Sequence, residues 1–405
     1  MKIVFLHSNF PAQFVYLATQ LTRNPGNQVV FITMRKEGNI PGVHKIVIER
    51  HREVRRETHH YLQSFENAVL QGQAVCRELA KLKAQGFVPD VVYGHSGWGM
   101  PTFVKDVFPT SKLVCLFEWY YHAHGSDADF DPSSPLTVDE ELKIRVKNAP
   151  ILLDLDSCDQ GVSPTYWQHR QFPVEYQPKI SIIHDGIDTE FIKPDPAAKL
   201  VLPQIGLDLS EAKEIVTYVA RGMEPYRGFP QFIEAVRLIT EERPDCHVVI
   251  VGDDRAAYGK TLPDGKTYKE AMLEKVPLDM SRVHFTGLLR KVDYLKVLQA
   301  SSVHVYLTRP FVLSWSMLEA MAAGCLVVAS DTAPVTEAII NGTNGILVDF
   351  FSPPKIAEKV VDVLVKQEEY REFRLKARQT ILERYALHKL LPVHINLLER
   401  IGFSR

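Results

Sequence analysis

Short runs of β-branched and aliphatic residues alternate with longer amphipathic stretches along the whole chain, and this alternation is the signature of βαβ units on parallel sheets. In the first half the predicted strands are Ile3–Leu6, Val29–Ile32, Val91–Tyr93, Leu113–Phe117, Ile151–Leu155 and Ile180–Ile183. In the second they are Ile215–Ala220, His247–Val251, Val283–Thr286, Val303–Leu307, Leu326–Ala329 and Ile346–Val348. Helical spacing of apolar residues predicts helices between them, among them Ala68–Gln85, Gly228–Glu241 and Ser316–Ala323. The tail, Ile356–Arg405, reads as nearly continuous helix with a break near Leu391-Pro392.

At 405 residues the chain is too long for one core and suits two domains. The proline-rich polar stretch Phe191-Ile-Lys-Pro-Asp-Pro-Ala-Ala reads as the linker. The expected division is 1–192, 193–385 and a C-terminal helix, 386–405, crossing back to the first domain. The fold class is α/β, two doubly wound Rossmann-like domains facing each other across a cleft. In such sheets ligands sit beyond the carboxyl ends of the strands, where helix N-termini point.

Composition excludes more than it assigns. Forty-seven basic against 49 acidic residues leave a net charge of −2, which gives no reason to expect nucleic acid as a partner. Cys76, Cys115, Cys158, Cys246 and Cys325 lack the spacing of a zinc site or a disulfide scaffold. The N-terminus lacks the apolar stretch of a signal peptide, and no apolar run is long enough to span a bilayer. The cytoplasm is therefore the expected compartment. The basic stretch His44–His60, with Lys45, Arg50, Arg52, Arg55 and Arg56, could offer peripheral contact with an anionic membrane face. Its interleaved Glu49, Glu53 and Glu57 favour a plain solvated segment instead.

The residues that could carry chemistry fall at strand ends. After Val303–Leu307 comes Ser314-Trp-Ser-Met-Leu-Glu-Ala-Met-Ala-Ala-Gly324, a helix start whose first-turn N–H groups can meet a phosphate and whose Glu319 can accept from ribose hydroxyls. Taken alone, Glu319 is better explained as a carboxylate complementing the helix dipole. Strand Ile215–Ala220 runs into Arg221-Gly-Met-Glu-Pro-Tyr-Arg227-Gly-Phe-Pro, where two arginines six apart could converge on a diphosphate. Val248-Val-Ile-Val-Gly-Asp-Asp and Val283-His-Phe-Thr-Gly-Leu-Leu add glycines at which a base or ribose could approach the backbone.

These elements, in this order, resemble the C-terminal domain of the family 4 retaining glycosyltransferases of the GT-B fold. Ile182-Ile-His-Asp-Gly-Ile-Asp188 resembles the family's interdomain segment, Pro310–Gly324 its E-x7-E region, and Gly342-Thr-Asn-Gly-Ile-Leu-Val its late glycine turn. His7-Ser-Asn-Phe-Pro-Ala-Gln-Phe resembles the loop after the first strand. The resemblance implies a UDP- or GDP-sugar donor, a glycan, lipid-linked or small-molecule acceptor, and no cofactor or metal. Asp129-Phe-Asp131 and Asp154-Leu-Asp156 match D-x-D, but neither lies with the donor motifs. It also implies that Arg221 and Arg227 neutralise the diphosphate, with Arg227 standing where the family usually has lysine. Glu319 would hold the ribose. The amides of Ser314, Trp315 and Ser316 would reach the phosphates and the transferred sugar, and Leu288 and Leu289 would lie against the base. Phe311 stands where the first glutamate of E-x7-E is expected. That departure keeps open a catalytically silent nucleotide-sugar-binding subunit, and a GT-B nucleotide-sugar epimerase is the other alternative.

On the acceptor side, Ala12 and Gln13 occupy a turn where the family often has glycine, so the backbone there would approach the donor. Glu118 stands where the family commonly has a functional histidine, in Glu118-Trp-Tyr-Tyr-His122-Ala-His124-Gly-Ser-Asp127, and His122 is a possible substitute. His122 and His124 read equally well as a polar surface loop. Gly94-His-Ser-Gly-Trp-Gly99 is not a dinucleotide fingerprint, and its His95 reads equally as a site residue or a turn residue.

Overall fold

The computed structural model describes residues 1–403. It forms two compact units, Met1–Gly186 together with the segment from His388 onward, and Ile187–Leu387. The junction at Gly186 precedes the expected boundary at residue 192 by six residues. Ile187 bridges Ala386, and Ile187 and Ile192 are buried in the second unit's core, so the segment ahead of the prolines already belongs to that unit.

The first unit has seven parallel strands: β1 (Lys2–Leu6), β2 (Gln28–Thr33), β3 (Val43–Val47), β4 (Val91–His95), β5 (Lys112–Leu116), β6 (Gln160–Ser163) and β7 (Ile180–Ile182). Their order is β3-β2-β1-β4-β5-β6-β7, so the winding reverses between β1 and β4. Such a switch point opens a crevice at the strands' carboxyl ends. Register aligns Leu6 with Gly94, which sets His7 and His95 side by side one step further on.

The second unit begins with the hairpin β8 (Val201–Leu202) and β9 (Leu207–Asp208). Its six-stranded parallel sheet comprises β10 (Ile215–Gly222), β11 (His247–Asp253), β12 (Val283–Gly287), β13 (Val303–Tyr306), β14 (Val327–Ser330) and β15 (Ile346–Val348). The order β12-β11-β10-β13-β14-β15 puts its switch point between β10 and β13. Central strands on both sheets are buried along nearly their whole length because helices cover both faces.

Three expectations change. Ile151–Leu155 is not a strand but part of the helix Ala149–Ser157, and the strand follows at Gln160–Ser163. Ile151 and Leu155 are buried while Leu152 and Leu153 are exposed, an i, i+4 pattern that Pro150 starts at its first turn. The C-terminal stretch is three helices, Pro353–Val365, Arg371–Arg384 and Leu387–Phe403, and Pro392 lies inside the last without ending it. The break falls at Tyr385–Ala386, where the backbone turns aside to pair with Ile187. Part of the basic stretch is the edge strand β3, which alternation did not reveal. Several of its charges are paired, Arg50 with Glu53 inside the stretch, and Arg52 with Glu66 and Glu49 with Lys36 just outside it. Among the described residues no helix is long and apolar enough to cross a membrane.

Candidate functional site

At the β10/β13 switch point the two arginines have different fates. Arg221 is exposed at the end of β10, whereas Arg227 is only 4% exposed. Its Nη1 donates to Tyr306 Oη at 2.9 Å and Thr308 Oγ1 at 2.7 Å, and its Nη2 to the Val312 carbonyl at 3.1 Å. The guanidinium also lies 5.3 Å from the Tyr258 ring centroid and 5.9 Å from that of Tyr306. All of these partners are neutral. Gly228, with φ +63°, lets the loop close here, since a Cβ would sit 2.5 Å from Leu307 Cβ.

Phe311 is buried and packs edge-on against Tyr226 at 5.4 Å and Tyr258 at 5.5 Å. The position expected to carry a carboxylate is thus one wall of an aromatic cluster. Glu224, which the sequence reading passed over, holds this cluster in shape. Fully buried, it accepts the backbone N–H groups of Ala257 (2.9 Å), Tyr258 (2.9 Å) and Gly259 (2.6 Å). A carboxylate that captures three successive amides fixes their loop, and with it the Tyr258 ring over Arg227. Nothing in local periodicity marks this, because the partner amides lie on a loop beyond β11.

On the helix Trp315–Ala322, Ser314 is the N-cap and accepts from the Ser316 N–H at 3.3 Å. Ser314's own N–H donates to Tyr306 Oη at 3.0 Å. Two of the three amides expected to face phosphate therefore already have intramolecular acceptors. Half-buried Trp315 packs on the core of this unit. Glu319 accepts from Tyr294 Oη at 2.7 Å, and burial raises its carboxyl above the ordinary value against the pull of Tyr294 and Lys291. Leu288 and Leu289 separate: Leu288 is 71% exposed, while Leu289 packs inward on the cluster around Val249 and Val251.

At the β1/β4 switch point the first unit gathers a polar network. Glu118 Oε1 accepts from Gln13 Nε2 at 2.6 Å, and Oε2 pairs with His95 Nε2 at 3.0 Å. Gln168 Nε2 donates to the Glu118 carbonyl at 2.8 Å. Burial works to raise the Glu118 carboxyl, but the charge and hydrogen bond of His95, with the Gln13 amide, hold it down at about 2. Burial opposes protonation of His95, and the Glu118 carboxylate more than offsets it, so the imidazole lies above its ordinary value. His7 packs edge-on against His95 at 4.7 Å, and burial together with that neighbour pushes it down to about 3. Ala12 adopts φ +47°, a left-handed conformation that is uncommon for residues other than glycine.

Asp154 secures this corner from below. It accepts from Ser96 Oγ at 2.7 Å and Thr102 Oγ1 at 3.1 Å, pinning the loop after His95, and burial raises its carboxyl to about 6. His122 has a separate partner: its Nε2 donates to the Gln171 carbonyl at 2.8 Å. His124 is largely exposed beside Asp129 and Glu141. The structure thus joins Gln13, Glu118, His95 and His7, while His122 bonds elsewhere. The turn motif that held His95 and the first-strand motif that held His7 were both visible in sequence, but their adjacency was not.

Solved structures show the same architecture. The chain matches Anabaena HepE in complex with UDP-glucose at TM-score 0.71 and 17% identity, covering 99% of this chain and 100% of that one. It matches sucrose-phosphate synthase of Thermosynechococcus elongatus at TM-score 0.72 and 16% identity, over 99% of each chain. The fold is therefore of the GT-B class, with a Rossmann-like sheet in each unit. Residues 25–192 match the glycosyl transferase family 4 group, and residues 206–380 match glycosyl transferases group 1. The chain belongs to the family 4 glycosyltransferases. Among curated relatives, trehalose synthase of Pyrococcus horikoshii is 26% identical over 199 residues, 48% of this chain and 46% of that one. The chain spans about half the length of the curated relatives it matches.

Proposed function

We propose that this protein transfers a sugar from a nucleotide-sugar donor to a hydroxyl-bearing acceptor with retention of anomeric configuration. The observation that carries this reading is Arg227. A guanidinium so deeply buried costs several kcal/mol unless an anion compensates it, and among the described residues no carboxylate pairs with it. A diphosphate is a suitable counter-charge, in a unit that matches glycosyl transferases group 1.

In this reading Arg227 and exposed Arg221 stabilise the negative charge that develops on the departing nucleoside diphosphate. Glu319 accepts from ribose hydroxyls beside Tyr294. The leaving phosphate takes the acceptor's proton, so no protein nucleophile is required. The reading calls for no metal, because two arginines can meet the charge of the leaving diphosphate by themselves. HepE was solved with UDP-glucose, which makes that sugar nucleotide the first donor to test.

Phe311 favours one competing reading, a binding subunit without turnover. The deciding experiment measures nucleoside diphosphate release from UDP-, GDP- and ADP-sugars, with and without glycan and lipid acceptors. Release with at least one donor supports transfer. Donor-induced thermal stabilisation without release would leave a binding subunit.

A further inference from the structure

The helix Trp315–Ala322 ends on a carbonyl that its own turn cannot satisfy. Of its last four carbonyls, those of Glu319, Ala320 and Met321 accept locally, from the N–H groups of Ala323 (2.9 Å), Cys325 (3.0 Å) and Gly324 (3.1 Å). The fourth, that of Ala322, accepts from Nη1 of Arg378, on the helix Arg371–Arg384. A cation placed there also meets the negative end of the helix dipole.

Arg378 binds more than this helix end. Its Nη1 also donates to the Ile192 carbonyl at 3.3 Å and its Nη2 to that of Thr189 at 3.4 Å, in the segment by which the chain enters the second unit. Glu190, in the same segment, adds a charge that favours the guanidinium. Packing joins the same two parts: Gly324 has φ +82°, and a Cβ there would stand 3.0 Å from Pro194 Cγ. Gln299 Nε2 donates to the Lys193 carbonyl at 2.8 Å, from the helix whose Tyr294 holds Glu319. The segment is itself anchored, because the Ile187 N–H donates to the Tyr385 carbonyl at 2.7 Å and the Leu387 N–H to that of Ile187 at 2.8 Å. Segment, guanidinium and helix end thus make one bonded stop.

The flanks of the helix offer no comparable fixture. Met317, Leu318, Ala320 and Met321 are fully buried, yet they are apolar, and methionine packs adaptably. Such flanks hold the helix against the sheet and do little to set its position along its own axis. We infer that Arg378 is a positioning residue for the donor site: it fixes the helix Trp315–Ala322 from its carboxyl end, and so places Ser314, Ser316 and Glu319. The inference rests on the donor role proposed above for that helix.

The test needs a readout at the far end. Trp315 lies in the first turn, about 10 Å along the axis from Ala322, and is the only tryptophan between residues 187 and 387. Its emission, isolated by subtracting the spectrum of Trp315→Phe, reports that turn without any nucleotide. Calorimetric titration of the full chain with UDP reports the site itself.

Arg378→Met keeps the length of the side chain and removes its donors. It should weaken UDP binding by about five- to fiftyfold and shift the Trp315 emission. Arg378→Lys, whose ammonium still reaches carbonyls, should recover most of both, which a general loss of stability would not do. If Arg378→Met does not fold, Arg378→Gln replaces it with the same two readouts, since its shorter amide cannot span helix and segment together. Wild-type UDP affinity in the folded variant would overturn the inference, as would an unmoved Trp315 emission. If wild type binds none of UDP, GDP and ADP, the donor reading fails by itself, and the Trp315 emission alone decides whether Arg378 positions the helix.

Discussion

The two units share one topology and use it for opposite chemistry. Each is a parallel sheet with a switch point beside its first long strand, β1/β4 in one and β10/β13 in the other. At the first, a carboxylate pairs with one imidazole, a second imidazole packs on that one, and the three shift each other's protonation. At the second, a single buried cation is caged by tyrosines and a phenylalanine. The backbone supplies the crevice, and the side chains at its rim decide what it can recognise.

The largest expected effect is at the caged cation. Arg227→Ala strands Tyr306 Oη, Thr308 Oγ1 and the Val312 carbonyl and opens a cavity, so it should lose about 3–5 kcal/mol of stability and at least about tenfold in turnover. Exposed Arg221→Ala should lose about tenfold in turnover with no measurable change in stability. Denaturant melts and nucleotide-release assays on both variants check this split. Equal stability losses would mean that the burial contrast has no energetic meaning.

Phe311→Glu tests the cage itself. It puts a charge among Tyr226 and Tyr258, so it should cost about 2–4 kcal/mol and reduce sugar transfer, while Phe311→Leu should be milder. A gain of transfer in Phe311→Glu would show that the ring replaced a working carboxylate. Glu319→Ala should mainly weaken donor binding, by about tenfold, because a ribose contact is made equally in ground and transition states. Calorimetry with the accepted donor reads that value.

Acid should separate the units. His7 and His184 in the first, and His304 in the second, are each pushed by burial down to about 3. An unfolded histidine binds its proton near pH 6.5, so between about pH 6.5 and 3 the unfolded chain holds more protons and stability falls as pH drops. Glu118, folded at about 2, adds stability above its unfolded value near 4.5 and loses it below. His95, raised, contributes fully throughout this acid range. Asp154 of the first unit, raised to about 6, works the other way as pH falls below that value. Two strongly lowered histidines there against one in the second unit still leave the first unit the more acid-sensitive, so hydrogen exchange at about pH 4.5 should show it opening first, and the reverse order would contradict this count.

The smallest effect is expected at Ala12. Glycine there removes left-handed strain of about 1 kcal/mol but adds about 0.4–1 kcal/mol of unfolded-chain entropy, so Ala12→Gly should leave the melting temperature almost unchanged. A large loss would mean that the Ala12 methyl packs against something essential.

By itself the sequence determined the parallel α/β class, two units, and the strand-end placement of Arg221, Arg227, Glu319 and Glu118. Those follow from periodicity and from motifs read within one βα unit at a time. Tertiary structure decided the rest. A short apolar run such as Ile151–Leu155 suits helix or strand until packing chooses which residues to bury. The burial of Arg227, the three amides on Glu224 and the meeting of His7 with His95 and Glu118 each join loops from strands far apart in the chain. Local patterning carries no record of which strands become neighbours or in what register, and those two choices place every one of these contacts.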